Sequence, residues 1–201
     1  MHRHISGRFW IACAALVLFL GLSAAVWRER FATYHFAEVR PGVLYRDGNR
    51  NMREFATACR NGRIRTVVML NDDQELIQPP FANETAFCQS QGIQLIRIPV
   101  TLGGWPSSAD VRRFLQIVED PNNHPVLVHC AQGVRRTGMM VAAYEKSVLG
   151  YTDQQTSDAI LRFGRKPASQ SLADVRRFIA SYDGAARQVV DMPVAGSSKA
   201  E

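Results

Sequence analysis

Cys130 and Arg136 stand with five residues between them in His129-Cys-Ala-Gln-Gly-Val-Arg-Arg-Thr-Gly138. A thiolate is a strong nucleophile, but an ordinary thiol has a pKa of about 8.5 and is mostly protonated at neutral pH. It needs positive charge or hydrogen-bond donors nearby. Arg136 offers a planar fork that holds two oxygens of a phosphate at once, which a lysine cannot do. Gly133 lets the backbone turn so that the N–H groups of Ala131, Gln132, Gly133, Val134 and Arg135 point inward. The Thr137 hydroxyl can hydrogen-bond a thiolate and help it leave. The chemistry suggested is attack by the Cys130 sulfur on a bound oxyanion, with no metal or cofactor required.

The flanks are suited to position such a loop. Val126-Leu-Val128 is a short apolar, β-branched run that reads as a buried strand. Thr137 onward reads as a helix. A strand, a tight loop and a helix N-terminus make an anion site, because unpaired N–H groups and the helix dipole converge there. Two plainer readings exist. A cysteine after a buried strand is usually a small core residue, and Arg135 beside Arg136 could be merely solvated rather than touching substrate. Arg136 at a helix start would be unfavourable against the dipole unless an anion joined it.

Around this loop, strands alternate with helices. Val43-Leu-Tyr45 lies between the turn signals Pro41-Gly42 and Asp47-Gly48 and reads as a short hairpin or a pair of edge strands. Asn51 caps a helix to about Arg60, stopped by Asn61-Gly62. Ile64 to Leu70 reads as a buried strand, Asn71 to Pro80 as a polar loop, Phe81 to Gln91 as a helix ended by Gly92, and Ile93 to Val100 as a strand. Helices follow over Ser108–Glu119, Thr137–Leu149, Thr152–Arg162 and Leu172–Tyr182. Ala-Asp-Val-Arg-Arg-Phe occurs twice, ending at Phe114 and Phe178, and each time its Asp closes a Ser-x-x-Asp ahead of an amphipathic helix, a variant of the capping box. The pattern predicts an α/β fold with a central parallel or mixed sheet of four to five strands flanked by helices. The ligand site of such a sheet lies outside the carboxyl ends of its strands, where the Cys130 loop falls.

The chain has 201 residues, 46% apolar and 21% charged, with 24 Lys and Arg against 18 Asp and Glu. That is globular, and the net charge of +6 suits an anionic substrate as well as an ordinary surface. No basic run with interleaved aromatics points to nucleic acid, and the four cysteines have neither zinc spacing nor the density of a disulfide framework. Cys59 and Cys88 fall on helices as core residues, able to pair only in an oxidising compartment. Phe9 to Trp27 is an uncharged apolar run of 19 residues, long enough as a helix to cross a hydrocarbon core of about 30 Å. Its length and Trp27 favour an uncleaved single-pass anchor over a signal peptide cut near Ser23-Ala24-Ala25. The flanking charges nearly balance. The short N-terminal tail favours a domain outside the cytoplasm. The expected organisation is an anchor over 1–30, a catalytic domain over 31–183 and a disordered tail over 184–201.

His129, Cys130, Gly133, Arg136, Thr137 and Gly138 together resemble the signature of the cysteine-dependent protein tyrosine and dual-specificity phosphatases. Val43-Leu-Tyr-Arg-Asp-Gly48, Thr66-Val-Val-Met-Leu70 and Asn122-Asn-His-Pro-Val-Leu-Val-His-Cys130 look like the atypical members from bacteria, plants and fungi. The resemblance covers roughly residues 36 to 182. It implies a tyrosine-phosphatase-like fold and a cysteinyl-phosphate intermediate. It implies as substrate a phosphorylated protein, phosphotyrosine above all, or a small phosphomonoester. Some relatives act on phosphoinositides or inositol pyrophosphates, often with more Lys or His in the loop than Ala131, Gln132 and Val134 provide. The family usually supplies a proton to the leaving oxygen from an Asp about thirty residues before the Cys. Ile96 to Ser108 contains no acid. Asp110 is the nearest candidate, Asp72 and Asp73 are the next, and the remaining option is no acid at all, which suits good leaving groups. Two other classes compete: a phosphate-binding module without turnover, and a sulfurtransferase, whose active loop also runs from Cys to Arg.

Overall fold

In a computed structural model of the chain, the residues described are Trp10, 13–23, 33–161 and 170–189. The chain divides into two compact units, residues 1–32 and 33–201. In the first, residues 13–23 form helix α1, about 16 Å long at 1.5 Å per residue. Among the described residues no helix is long and apolar enough to cross a membrane. The rest of the 9–27 run lies outside them.

The second unit is built on a five-stranded sheet in the order β1-β2-β5-β3-β4. β1 (Ala37–Arg40) and β2 (Leu44–Gly48) form an antiparallel hairpin, the first of the two arrangements expected there. β2 then runs parallel to β5 (Val126–Cys130), which runs parallel to β3 (Thr66–Met69), and β3 to β4 (Gln94–Arg97). One antiparallel edge on a parallel sheet makes it mixed. Central β5 is buried throughout, as its apolar run requires. Its alternation divides the core. Val126, Val128 and Cys130 face one apolar cluster, and Leu127 faces the other with Phe55 and Val67. His129 follows Leu127 and lies 5.2 Å from the Phe55 ring.

Helices cover both faces. α2 (Met52–Asn61) starts at Asn51, whose side chain accepts the Glu54 N–H, and Phe55 and Cys59 enter the smaller cluster. α3 (Glu84–Ser90) is shorter than the predicted Phe81–Gln91 helix, because Phe81–Asn83 is a separate 3-10 turn. α4 spans Ser108–Glu119 as predicted, and Ser107 and Asp110 close a full capping box. α5 (Arg135–Ser147) is buried without a break from Arg136 to Glu145, the pattern of a helix enclosed by others. It packs against α4, α6 (Asp153–Leu161) and α7 (Gln170–Ser181). Burying each large side chain, such as Met139, Met140 or Tyr144, contributes about 1.5–3 kcal/mol. α5 begins two residues before the predicted Thr137, so both arginines lie in its first turn.

Three expectations change. Ser171 lies inside α7, and Asp174 is not a cap. The Asn71–Pro80 loop contains a 3-10 turn, Glu75–Ile77. The start of the predicted tail is ordered, since β6 (Tyr182–Asp183) pairs with β7 (Gln188–Val189). Residues 190–201 lie outside those described. Cys59 and Cys88 are free and buried. Burial pushes the Cys59 thiol up, and Cys88 up to about 12.

Candidate active site

β5 delivers Cys130 to the carboxyl edge of the sheet, and α5 starts five residues later. α5 has Val134 at its N-cap with no side chain capping it, so its first N–H groups stay available to an anion. Between them the loop doubles back at Gly133, where φ is +68°. The Gly133 N–H points at the Cys130 sulfur, 3.3 Å away. A side chain here would run into the Asp47 carbonyl, and one on Gly48 into the Gln132 carbonyl. Two close-packed glycines therefore set the loop's path. Arg46, wholly buried, donates from Nη2 to the Gly133 carbonyl at 2.6 Å. His35 Nδ1 meets the Gln132 carbonyl at 2.7 Å.

Cys130 is 3% exposed and Arg136 4%. Burial alone would push the thiol up. Arg136, the side chain and N–H of Thr137, and the Gly133 N–H outweigh it and leave the thiol below its ordinary value. Thr137 is fully buried. Arg136 is held on its other side by Glu75, with Nη1 to Oε2 at 2.5 Å and Nη2 to Oε1 at 2.8 Å. Nη1 also donates to the Val100 carbonyl at 3.1 Å. Glu75 is fixed in turn by Asn71 Nδ2 at 2.9 Å and the Asp72 N–H at 3.0 Å. The sequence singles out Asp72 and Asp73 in this loop and gives no such prominence to Glu75. The only available signal was that it is the third acid after a buried strand.

A cavity of about 370 Å³ opens over the loop. It is lined by Cys130, Ala131, Gln132, Arg135 and Arg136, with Leu102 and Gly103 on one side and Gln170, Ser171 and Asp174 on another. Arg135 reaches it already occupied. Its Nε donates to Asp174 Oδ2, Nη1 to the Gly104 carbonyl and Nη2 to the Gly103 carbonyl, each at 2.6 Å. It ties the 102–105 loop to α7. Asp174 also takes Arg177 and Gln170. Gly133 and Val134 shape the loop from behind and do not line the cavity.

The candidate acids lie elsewhere. Asp110 Oδ2 accepts from the N–H and hydroxyl of Ser107 at 2.9 and 2.7 Å, closing the cap of α4 outside the cavity lining. Asp73 is 81% exposed and pairs with Arg97. Asp72 Oδ2 accepts the Leu102 N–H at 3.0 Å, and that bond leads in holding its carboxyl below the usual range. Among the described residues no group of three or more His, Cys, Asp or Glu could hold a metal.

Residues 47–180 match the family model described as "DSP-PTPase phosphatase fused to NAD+ Kinase". The chain belongs to this family. This is a family of cysteine-dependent phosphatases of the dual-specificity class. A rice protein named probable NAD kinase 2, chloroplastic, is 36% identical over 56 residues, 28% of this chain and 6% of that protein. Rice inositol diphosphatase DSP2 is 30% identical over 118 residues, 56% of this chain and 53% of that protein. The chain thus spans at most about half the length of these two relatives. The core catalytic domain of the PP-IP phosphatase Siw14 from S. cerevisiae, solved with citrate, superposes with a TM-score of 0.63 at 23% identity, covering 77% of this chain and 89% of that one. At that identity the likeness shows the phosphatase fold.

Proposed function

We propose that this phosphatase works by two displacements at Cys130. The thiolate attacks phosphorus, an S–P bond forms and the P–O bond to the leaving group breaks. Water then attacks the cysteinyl-phosphate, the S–P bond breaks, and phosphate departs. Arg136 and the loop N–H groups hold the non-bridging oxygens and follow their charge into the transition state. The Gly133 N–H and Thr137 receive the sulfur's charge when it leaves. The observation that carries this reading is the Gly133 N–H at 3.3 Å from the sulfur, at the uncapped start of the helix that holds Arg136.

The proton supply narrows the substrate. Asp174 is the one carboxylate among the described cavity-lining residues. Burial opposes its ionisation, but Arg135 and Arg177 hold it below its usual range, so it is a poor acid. Asp110 and Asp72 are bound as described above. A leaving group that departs without a proton fits this site, as the phosphate of a phosphoanhydride or a phenol does and an alkyl alcohol does not. With relatives named inositol diphosphatases, this supports the terminal phosphate of an inositol diphosphate as substrate. A second reading, a phosphotyrosine-type monoester, is favoured by the uncharged Ala131, Gln132 and Val134 and by the engagement of Arg135.

Phosphate release by the full chain should be measured on aryl phosphates of graded acidity, phosphoserine, a phosphotyrosine peptide and an inositol diphosphate, with chelator present. Steep dependence on leaving-group acidity is expected. Phosphoserine turned over as fast as aryl phosphate would remove the acid-free reading. A Cys130→Ser variant should bind but not turn over. Equal inertness of variant and wild type on every phosphate would end the enzyme reading, and thiosulfate consumption would replace it with sulfur transfer.

Residues 9–27 carry a separate proposal, a single-pass anchor with the domain outside the cytoplasm. It is supported by the uncharged run and by the exposure of Leu16, Val17, Leu18, Phe19, Leu20 and Leu22 on the described part of it. Release of the protein from membranes by alkaline carbonate would overturn the anchor, and resistance of the domain to protease added outside intact cells would overturn the orientation.

A further inference from the structure

Behind the catalytic strand, on the face away from the thiol, lies a charged group that the displacement chemistry does not use. His129 Nε2 is 3.0 Å from Glu84 Oε2, and both side chains are 0% exposed. The other Glu84 oxygen takes Asn49 Nδ2. Asn49 is 1% exposed, and its own N–H donates to the Cys130 carbonyl at 3.1 Å. The chain of contacts thus leaves the strand at His129, passes through Glu84 and Asn49, and returns to the strand at Cys130. No apolar packing demands a carboxylate here. A buried ion pair of this kind is weak evidence of stability, because the desolvation of both charges offsets their attraction.

We propose that Glu84 is a positioning residue for the nucleophile, acting through His129: locked by Asn49, it holds the imidazole in one orientation and supplies the counter-charge that a protonated ring needs inside the sheet. The positive ring sits one residue from Cys130 and favours the thiolate there, adding to Arg136. Burial alone would make the imidazole neutral. The Glu84 carboxyl, 3.0 Å away, leads in outweighing burial and raises the imidazole's pKa above the ordinary value.

The charged neighbours are few. Asp47 on β2 faces His129 directly in the strand register. Burial pushes Asp47 up to about 8, so it is largely neutral at pH 7. Glu54 on α2 acts on Asp47, and the Cys59 and Cys88 thiols feel Glu84 but are themselves pushed up by burial. At the thiol the competing charges are Arg136 and Arg46. Among the described residues Glu84 is the acid at ion-pair distance from the ring.

The test is the pH dependence of Cys130 alkylation by iodoacetamide in the full chain, read on the Cys130 peptide by mass spectrometry. Glu84→Gln keeps the shape and removes the charge. It should raise the thiol midpoint by about one pH unit, slowing alkylation up to about tenfold at pH values below that midpoint, and leave the rate well above it unchanged. A purely structural role would lower both rates or neither. The double variant Glu84→Gln, His129→Gln leaves no unpaired buried charge, so it carries the test if the single variant does not fold. It should match the Glu84→Gln profile. A midpoint within 0.3 of a unit of wild type in either folded variant would overturn the proposal. The proposal rests on Cys130 being the nucleophile, yet alkylation reads the thiol without turnover. A shifted midpoint in a protein inert on all phosphates would sink the functional reading alone, and an unshifted midpoint in an active enzyme would sink this one alone.

Discussion

Glu75 grips Arg136 through both carboxylate oxygens, at 2.5 and 2.8 Å, across 61 positions of sequence. The guanidinium is thereby oriented before any substrate arrives, and it spends little conformational entropy on binding. Burial opposes ionisation of Glu75, but the Arg136 hydrogen bonds prevail and hold its carboxyl below the usual range. A depressed folded pKa means that the pair's contribution is complete above the unfolded value of about 4.3 and lost as pH falls through the folded one. Glu75→Gln should lower kcat on an aryl phosphate about 10- to 100-fold with a smaller change in KM. An unchanged kcat would mean that Arg136 finds its position without Glu75.

Arg135 is a strut in this structure, and its removal should act through the loop it holds. Arg135→Ala frees the Gly103 and Gly104 carbonyls. Amide exchange over residues 101–106 should speed up, and kcat/KM should fall about tenfold. Asp174→Asn should produce the same exchange pattern in milder form. If exchange is unaltered while KM rises steeply, Arg135 binds substrate directly instead.

Gly133 has no room for a methyl group. Gly133→Ala places a Cβ in the Asp47 carbonyl at a φ of +68°. Strain of about 1–3 kcal/mol is expected from the backbone alone, with further loss from the clash. Urea unfolding measures it. The loop N–H that faces the thiol would move, so activity should fall further than stability explains. A Gly133→Ala protein as stable as wild type would show that the loop yields at no cost.

Asp47 has its pKa raised to about 8, chiefly by burial. The unfolded value is about 3.9. Between these two, the folded protein keeps a proton that the unfolded chain has released. Stability therefore falls as pH rises across that window, by up to about 1.4 kcal/mol per pH unit from this group. Asp47→Asn should raise the melting temperature more at pH 8 than at pH 5. An equal shift at both would place the carboxyl in a wetter setting than its burial suggests.

Much of the site could be read directly from residue order. Cys130, Gly133, Arg136 and Thr137 lie within eight consecutive residues, and a strand-loop-helix unit places them with little help from elsewhere. Asn51 capping α2 and Ser107 capping α4 are also contacts three residues apart. Such contacts depend only on helix geometry, which residue types and spacing already contain. The central position of β5 is legible for a related reason: an unbroken apolar run is stable only with both faces covered.

Glu75, Glu84, Arg46 and Asp174 were not legible. Each acts on a residue 39 to 87 positions away, and nothing in its own neighbourhood marks it. The repeated Ala-Asp-Val-Arg-Arg-Phe makes the point within one chain. Its first Asp, Asp110, turns back on Ser107 and caps a helix, while its second, Asp174, lies inside a helix and takes Arg135. The same six residues meet the same local physics and find different partners. Amino-acid order alone determined the turn from Cys130 to Arg136 and the strand and helix that carry it, because those interactions are short-range. Which carboxylates reach that turn was decided by the strand order β1-β2-β5-β3-β4 and the helices laid across it, because only that packing brings distant charges together in a space dry enough for them to matter.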